Sequence, residues 1–229
     1  MRFGLQKLTL LDFPGMTACT VFTGGCNFRC PFCHNPRLVF GGKDSLDHDL
    51  SGILDFLNKR RGILEGICIT GGEPLLHEET IQLVKSARAA GYKVKIDTNG
   101  SDPEKLRQIV EDGCVDYVAM DIKNSPEKYE ATTSFSGIEK IRNSVKFLLQ
   151  GRVDYEFRTT VTGNLHTADD FEKIGNWIAG AKRYFLQKFQ DSGELLAEDG
   201  SVFEVSGEQL AEYQEIVRKF VPSVLLRGI

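Results

Sequence analysis

The chain has no apolar run long enough to cross a bilayer, and this absence sets a first bound on its function. A membrane-spanning helix needs about 20 predominantly apolar residues, and no stretch of the 229 comes close. The opening Met1-Arg2-Phe3-Gly4-Leu5-Gln6-Lys7 also lacks the apolar core of a signal peptide. A cytoplasmic location is therefore expected, with no membrane as partner. A basic excess is missing too: 28 Lys and Arg against 32 Asp and Glu leave a net charge of −4. A general nucleic-acid binder would show a basic surface, so no nucleic acid is expected as a partner; one small basic pocket stays compatible with this balance. There is no repeat, no low-complexity tract and no linker, so residues 1–229 are expected to form one domain.

Against these absences stands one dense feature, Cys26-Asn27-Phe28-Arg29-Cys30-Pro31-Phe32-Cys33. Six cysteines scattered at random would give this spacing roughly 0.002 of the time, so the triple reads as a motif. Three thiolates on one short loop can hold three irons of a four-iron cluster and leave the fourth open. Clusters are normally held by four cysteines, and sites that keep a position open are usually the reactive ones, as with zinc. A zinc knuckle is the competing reading, with His34 as fourth ligand. Two ligands at adjacent positions rarely converge on one tetrahedral ion, which counts against it. A disulfide is disfavoured by a reducing compartment. Cys19, Cys68 and Cys114 lie far apart and read as buried small hydrophobes.

Along the chain, short β-branched or aromatic runs alternate with helical periodicity. Strands are expected over 17–22, 66–70, 93–98, 117–122, 155–161 and 183–189, with helices over 50–58, 79–90, 103–112, 138–149 and 168–178. A further helix over 207–219 and a short strand over 223–227 follow. Pro103 after Ser101-Asp102 marks a helix start, and Gly91 after Ala89-Ala90 a stop. Strands alternating with helices imply a parallel sheet with right-handed crossovers. A closed eight-stranded barrel would need more chain, so the fold class is α/β with a partial (β/α)6 barrel. Such sheets place their chemistry beyond the carboxyl ends of the strands. The motifs gather there: the cysteine loop after the first expected parallel strand, Thr70-Gly71-Gly72-Glu73-Pro74 after the second, Asp97-Thr98-Asn99-Gly100 after the third, and Asp121-Ile122-Lys123 after the fourth. Gly71 and Gly72 would let the backbone approach a ligand closely. Asp97 and Asn99 fit a plain turn equally well, and Asp121 and Lys123 could simply pair with each other. Arg158, in the fifth expected strand, needs a partner that a bound carboxylate would supply.

The spacing Cys-x-x-x-Cys-x-aromatic-Cys, followed by Gly-Gly-Glu-Pro, resembles the radical S-adenosylmethionine (SAM) superfamily, whose fold is a six-stranded partial barrel. Leu11-Asp12-Phe13-Pro14-Gly15 and Cys33-His34-Asn35-Pro36 are similar to the activating enzymes of glycyl-radical proteins, above all those of anaerobic ribonucleoside-triphosphate reductase and next those of pyruvate formate-lyase. The resemblance implies that Cys26, Cys30 and Cys33 ligate a single [4Fe–4S] cluster whose open iron is chelated by SAM. It implies that Phe32 lies beside the adenine and that Gly71, Gly72 and the Glu73 region hold the methionine amino group. Asp97, Asp121, Lys123 and Arg158 would surround the methionine and ribose portions. The implied partners are a glycyl-radical enzyme and an electron donor such as flavodoxin or ferredoxin. Some activases insert a cysteine-rich ferredoxin-like domain after the first motif; residues 38–62 contain no cysteine. At the sixth strand, where the formate-lyase activases carry a Pro-aromatic-His stretch, this chain has Gln187-Lys188-Phe189-Gln190.

Overall fold

A computed structural model describes residues 1–42, 46–191, 193–197 and 201–228. Eight strands form one sheet in sequence order: β1 Phe3–Thr9, β2 Ala18–Thr23, β3 Gly66–Gly71, β4 Lys93–Thr98, β5 Tyr117–Asp121, β6 Asp154–Val161, β7 Tyr184–Lys188 and β8 Val224–Arg227. From β2 to β8 every neighbouring pair is parallel, as the alternating pattern required. The strand order ends at β1 and β8, which do not pair with each other, so the wall stays open.

β1 was not expected from the sequence. It pairs antiparallel with β2, Phe3 opposite Thr23 and Gln6 opposite Thr20. Its Gln6, Lys7 and Leu8 are all exposed, so the alternation that announces a half-buried strand is lost over half its length. Among helices, α1 Pro36–Val39 and α5 Tyr129–Thr133 are short turns below the length at which periodicity can be read. The longer helices are α2 Leu50–Arg60, α3 Glu78–Ala89, α4 Pro103–Glu111, α6 Ile138–Leu148, α7 Ala168–Trp177 and α8 Gly207–Arg218. Asp102 caps α4, its carboxylate accepting from the Lys105 N–H at 3.0 Å. Gly91, with φ +93°, takes the left-handed turn after α3.

The main core lies between sheet and helices, where Val21, Ile67, Ile69, Val94 and Ile96 meet Ile53, Leu57, Leu83 and Val84, all buried. A second, small cluster closes the amino ends of the strands. There Phe13, in the turn between β1 and β2, packs on Ala18, Tyr117 and Ala119. A Cβ on Gly66 would sit 2.9 Å from the Phe13 ring, so only glycine leaves room for this plug.

Candidate active site

The cysteine loop leaves the carboxyl end of β2 and is pinned from three sides. Gly25 N–H donates to the Leu38 carbonyl at 2.7 Å, Cys26 N–H to that of Val39 at 3.2 Å, and Arg29 N–H to that of Thr133 at 2.7 Å. The loop after β3 lies directly against it. A Cβ on Gly71, where φ is +124°, would fall 2.4 Å from the Thr23 backbone nitrogen and oxygen, and one on Gly72 would fall 2.0 Å from the Gly25 carbonyl oxygen. The two glycines are thus required by the close approach of two backbones, in addition to whatever they offer a ligand. Hydrogen bonds seal the contact, Gly72 N–H to Thr23 at 2.9 Å and Glu73 N–H to Gly25 at 2.8 Å.

Glu73 is buried and accepts from Asn99 N–H at 2.6 Å, Thr98 Oγ1 at 2.7 Å and Leu75 N–H at 3.1 Å. Burial pushes its carboxyl up to about 7 even against those three donors. Its side chain is a brace between the loops after β3 and β4 and does not line the cavity at the rim. The brace reaches the cysteine loop through Asn99, whose side-chain amide donates to Asn27 Oδ1 at 2.9 Å and lies 3.9 Å from Cys26 Sγ.

That cavity, of about 240 Å³, gathers Cys26, Cys30, Cys33, Phe32, Gly71, Gly72, Asp97, Asp121, Lys123 and Arg158 in one place. Every residue singled out from the sequence except Glu73 lies on its wall. Thr70, Asn99, Thr160 and Gln187 line it as well. Thr160 stands two residues after Arg158 on β6, so strand periodicity could have found it. Gln187 occupies the cavity on β7, while Gln190 bonds to the Gly228 carbonyl at 3.3 Å, outside the cavity. His166, not singled out from the sequence, is buried; its Nε2 lies 3.0 Å from the Lys123 carbonyl and its ring 6.3 Å from that of Phe32.

Charges on the wall and just behind it form a chain of alternating sign. Lys95 bonds to Asp97, Asp97 lies 3.2 Å from Arg158, Arg158 lies 2.9 Å from Asp121, and Asp121 lies 2.9 Å from Lys123. Lys95 lies behind the wall, so the charges of this chain that line the cavity, Arg158 and Lys123 against Asp97 and Asp121, balance. Burial alone would raise the Asp121 carboxyl, but Arg158 and Lys123 outweigh it and hold it at about 2. Asp97 is lowered likewise, burial being overcome by Arg158 and Lys95. Lys123 is raised because Asp121 outweighs its own burial. The partner Arg158 needed is therefore supplied by the chain itself, twice over, and the Asp121–Lys123 pair forms.

The three thiols fit a cluster better than a single ion. Among the described residues no three Cys, His, Asp or Glu side chains converge on a one-metal site, and a cluster that gives each thiolate its own iron does not require them to. His34, the fourth ligand of a knuckle, stacks on Phe189 at 5.4 Å. Burial pushes the Cys30 thiol up to about 12 and raises Cys26 as well, so these sulfurs lose their protons only to a metal. Cys19 and Cys68 are buried as expected, whereas Cys114 is half-exposed.

A cysteine triple beyond the first parallel strand, in an open parallel barrel with a charged rim, defines an iron–sulfur site of the radical SAM kind. The radical SAM superfamily model matches residues 20–178, and the chain belongs to that superfamily. It accordingly binds a [4Fe–4S] cluster and SAM. A Methanocaldococcus jannaschii protein provisionally named as a glycyl-radical enzyme activating enzyme is 29% identical over 233 residues, covering 99% of this chain and 95% of its own length. The pyruvate formate-lyase-activating enzyme of Listeria monocytogenes is 32% identical over 145 residues, 58% of this chain and 57% of its own. A 7-carboxy-7-deazaguanine synthase of Thermoplasma acidophilum is 28% identical over 148 residues, 63% of this chain and 66% of its own. Among solved structures, Streptococcus suis SuiB bound to S-adenosylmethionine shares the fold with a TM-score of 0.69 at 10% identity, over 90% of this chain and 49% of that one. The chain thus spans about half of SuiB and less than two thirds or about two thirds of the latter two relatives.

Proposed function

We propose that this chain, working as a single cytoplasmic radical SAM domain, is an activating enzyme that installs a glycyl radical on anaerobic ribonucleoside-triphosphate reductase. The observation that carries the activase reading is the end-to-end likeness to the Methanocaldococcus protein, 99% of one chain against 95% of the other; the reductase as partner rests on the resemblance of Leu11-Asp12-Phe13-Pro14-Gly15 and Cys33-His34-Asn35-Pro36. The open wall between β1 and β8 supports it, because a protein loop needs a wider entry than a small molecule does. In this reading Cys26, Cys30 and Cys33 would hold the cluster, with SAM beside it in the cavity. When bound there, the cluster would supply one-electron reduction of SAM, the chemistry from which a radical able to take a hydrogen atom from the glycine would come. A flavodoxin or ferredoxin serves as the electron source.

The chain's own residues bind, orient and enclose. Of the charges that line the cavity, Lys123 is the cation set to meet the SAM carboxylate. Lys123 carries three donors and gives one to Asp121, which leaves donors for that carboxylate. Arg158, already held by two carboxylates, keeps Asp97 and Asp121 in place for the ribose and methionine portions. Phe32, 3% exposed, offers an apolar wall to the adenine. Glu73 acts from behind, setting the backbone of Gly71, Gly72 and Asn99 against the cysteine loop.

The test is an anaerobic mixture of cluster-loaded protein, SAM, a low-potential reductant and an anaerobic ribonucleotide reductase. The expected outcome is a protein radical whose paramagnetic resonance doublet is split by the remaining glycine α-hydrogen. A radical on another glycyl-radical enzyme but none on the reductase would change the partner. SAM turnover with no protein radical on any candidate would move the chain toward small-molecule chemistry, as the deazaguanine synthase name suggests for that relative.

A further inference from the structure

One buried histidine joins two parts of the rim. The pairing of β5 with β6 runs out at Asp121 and Arg158. Ile122 N–H still donates to the Arg158 carbonyl at 2.7 Å, and the Ile122 carbonyl accepts from Thr159 Oγ1 at 2.7 Å. At Lys123, one residue further on, it is a side chain that meets the backbone: His166 Nε2 lies 3.0 Å from the Lys123 carbonyl. His166 stands between β6 and α7 and is 2% exposed. Its other nitrogen, Nδ1, lies 3.2 Å from the Thr162 N–H. A backbone N–H can only donate, so Nδ1 holds the lone pair. Burial, the strongest influence on the ring, lowers its pKa and favours the neutral form. The one ring proton then sits on Nε2, aimed at the Lys123 carbonyl.

The same ring packs against the cysteine loop. Its centre lies 6.3 Å from that of Phe32, the residue between Pro31 and Cys33. Phe171 of α7 lies 5.7 Å from it and is itself stacked on Tyr213 of α8 at 4.5 Å. The Tyr213 hydroxyl also donates to the His166 carbonyl at 3.4 Å, and the Asn124 side-chain amide, next to Lys123, donates to the Leu165 carbonyl at 3.0 Å. The outer helices thus hold His166, and His166 holds the backbone of Lys123. A residue kept only to fill this space would be better apolar, because buried ring nitrogens are costly unless each finds a partner. Both nitrogens here have one. His166 is absent from the cavity wall, whereas Lys123 and Phe32 are on it, so any effect of His166 on a ligand passes through them.

We propose that His166 is a positioning residue for SAM, fixing through its Nε2–H the backbone from which the Lys123 ammonium reaches the SAM carboxylate. The proposal rests on the reading that Lys123 meets that carboxylate. The lysine side chain is long and flexible, and its Nζ is tethered only by Asp121 at 2.9 Å. Where its remaining donors fall in the cavity therefore depends on where its backbone is held. A charge-assisted hydrogen bond is strong only at short, well-aligned distances, so a small backbone shift at Lys123 weakens the contact with the ligand. Packing of the same ring on Phe32 keeps Lys123 in register with the cysteine loop.

Anaerobic isothermal titration of SAM into cluster-loaded protein tests this, with iron analysis of every variant. His166→Phe keeps a ring but loses the N–H, and should bind the same iron while weakening SAM by about fivefold or more, the loss of one hydrogen bond. His166→Gln carries an amide N–H to the position of Nε2 and should restore affinity to within about twofold. The same His166→Phe change made in Lys123→Ala, itself weakened, should cost less than about twofold more, because residues acting through one contact are not additive. A purely structural histidine would instead give equal losses in both backgrounds, and that result would overturn the proposal. So would unchanged affinity in His166→Phe, or a glutamine variant as weak as the phenylalanine one. Iron lost in step with affinity would also overturn it, assigning His166 to the integrity of the cysteine loop. Should His166→Phe fail to fold, His166→Leu is read in its place with the same outcomes. Unchanged affinity in Lys123→Ala alone would overturn the Lys123 reading and this proposal with it, whereas additive losses overturn only the proposal. No glycyl-radical enzyme is present, so the choice of partner does not enter the result.

Discussion

The two ends of the parallel strands are built from opposite materials. At the amino ends Phe13, 2% exposed, fills the space between Ala18, Tyr117 and Ala119. Glu156 nearby receives Arg227 at 3.0 and 3.2 Å and the Tyr117 hydroxyl at 2.7 Å. At the carboxyl ends lies a cavity of about 240 Å³ ringed by thiols, glycines and four linked charges. A filled end contributes burial energy at every atom, while an empty one forgoes it and also bears the desolvation of ions. The contrast teaches that the barrel interior is closed by a small apolar plug at the floor while the rim is given to polar groups for ligands, the main core lying between sheet and helices.

The comparison breaks most completely at Cys30. Cys30→Ala should abolish cluster absorption and all activity, whereas Cys68→Ala at a buried position of β3 should retain iron. Iron analysis of the two reconstituted variants decides it, and equal iron loss would overturn the assignment of ligands. Next in size is the plug. Phe13→Ala should cost about 3–5 kcal/mol of stability while SAM affinity, measured by anaerobic titration at a temperature where the variant is folded, stays within a few-fold. A large loss of affinity would show that floor and rim are coupled.

Gly72→Ala attacks the rim without touching a charge. Its Cβ would fall 2.0 Å from the Gly25 carbonyl, so a cost of at least about 1–3 kcal/mol is expected, together with slower iron uptake as the cysteine loop is displaced. Normal melting and normal reconstitution would refute the backbone-contact role. A smaller effect comes from pH. Asp121 titrates at about 2 in the folded chain against an ordinary 3.8. A lowered folded value stabilises above the unfolded one, so this contribution is present above pH 4 and is lost as pH falls toward 2. It amounts to on the order of 2 kcal/mol, discounted somewhat because the side chain is 27% exposed into the cavity. Asp121→Asn should flatten the stability curve in that window, by calorimetry of the apo protein. The smallest expected effect is at Cys114, half-exposed, where Ser should change neither melting temperature nor iron content.

The rim was more legible than the floor, for a physical reason. Ligand-binding groups are chemically distinct residues at strand ends, and cysteine spacing on one loop is visible without any neighbour. Phe13 was seen only as part of a motif, because its partner Tyr117 lies more than a hundred residues away. β1 was missed because three of its seven residues in succession face water. The Asp121–Lys123 pair and the need of Arg158 for a partner could be read from the sequence, but that Arg158 would find Asp97 and Asp121 could not.

By itself the sequence determined the parallel α/β class, the single cysteine triple and the strand ends that carry polar groups, because each depends on residue type and local periodicity. Only the tertiary structure decided what those groups do to one another. It made Gly71 and Gly72 a contact between backbones, turned Glu73 inward as a brace, and linked Lys95, Asp97, Arg158, Asp121 and Lys123 into one alternating chain. These outcomes depend on distances between strands that are 20 to 70 residues apart in sequence, as between Asp97 and Arg158 at 3.2 Å, and such distances exist only once the sheet has curled and brought its carboxyl ends together.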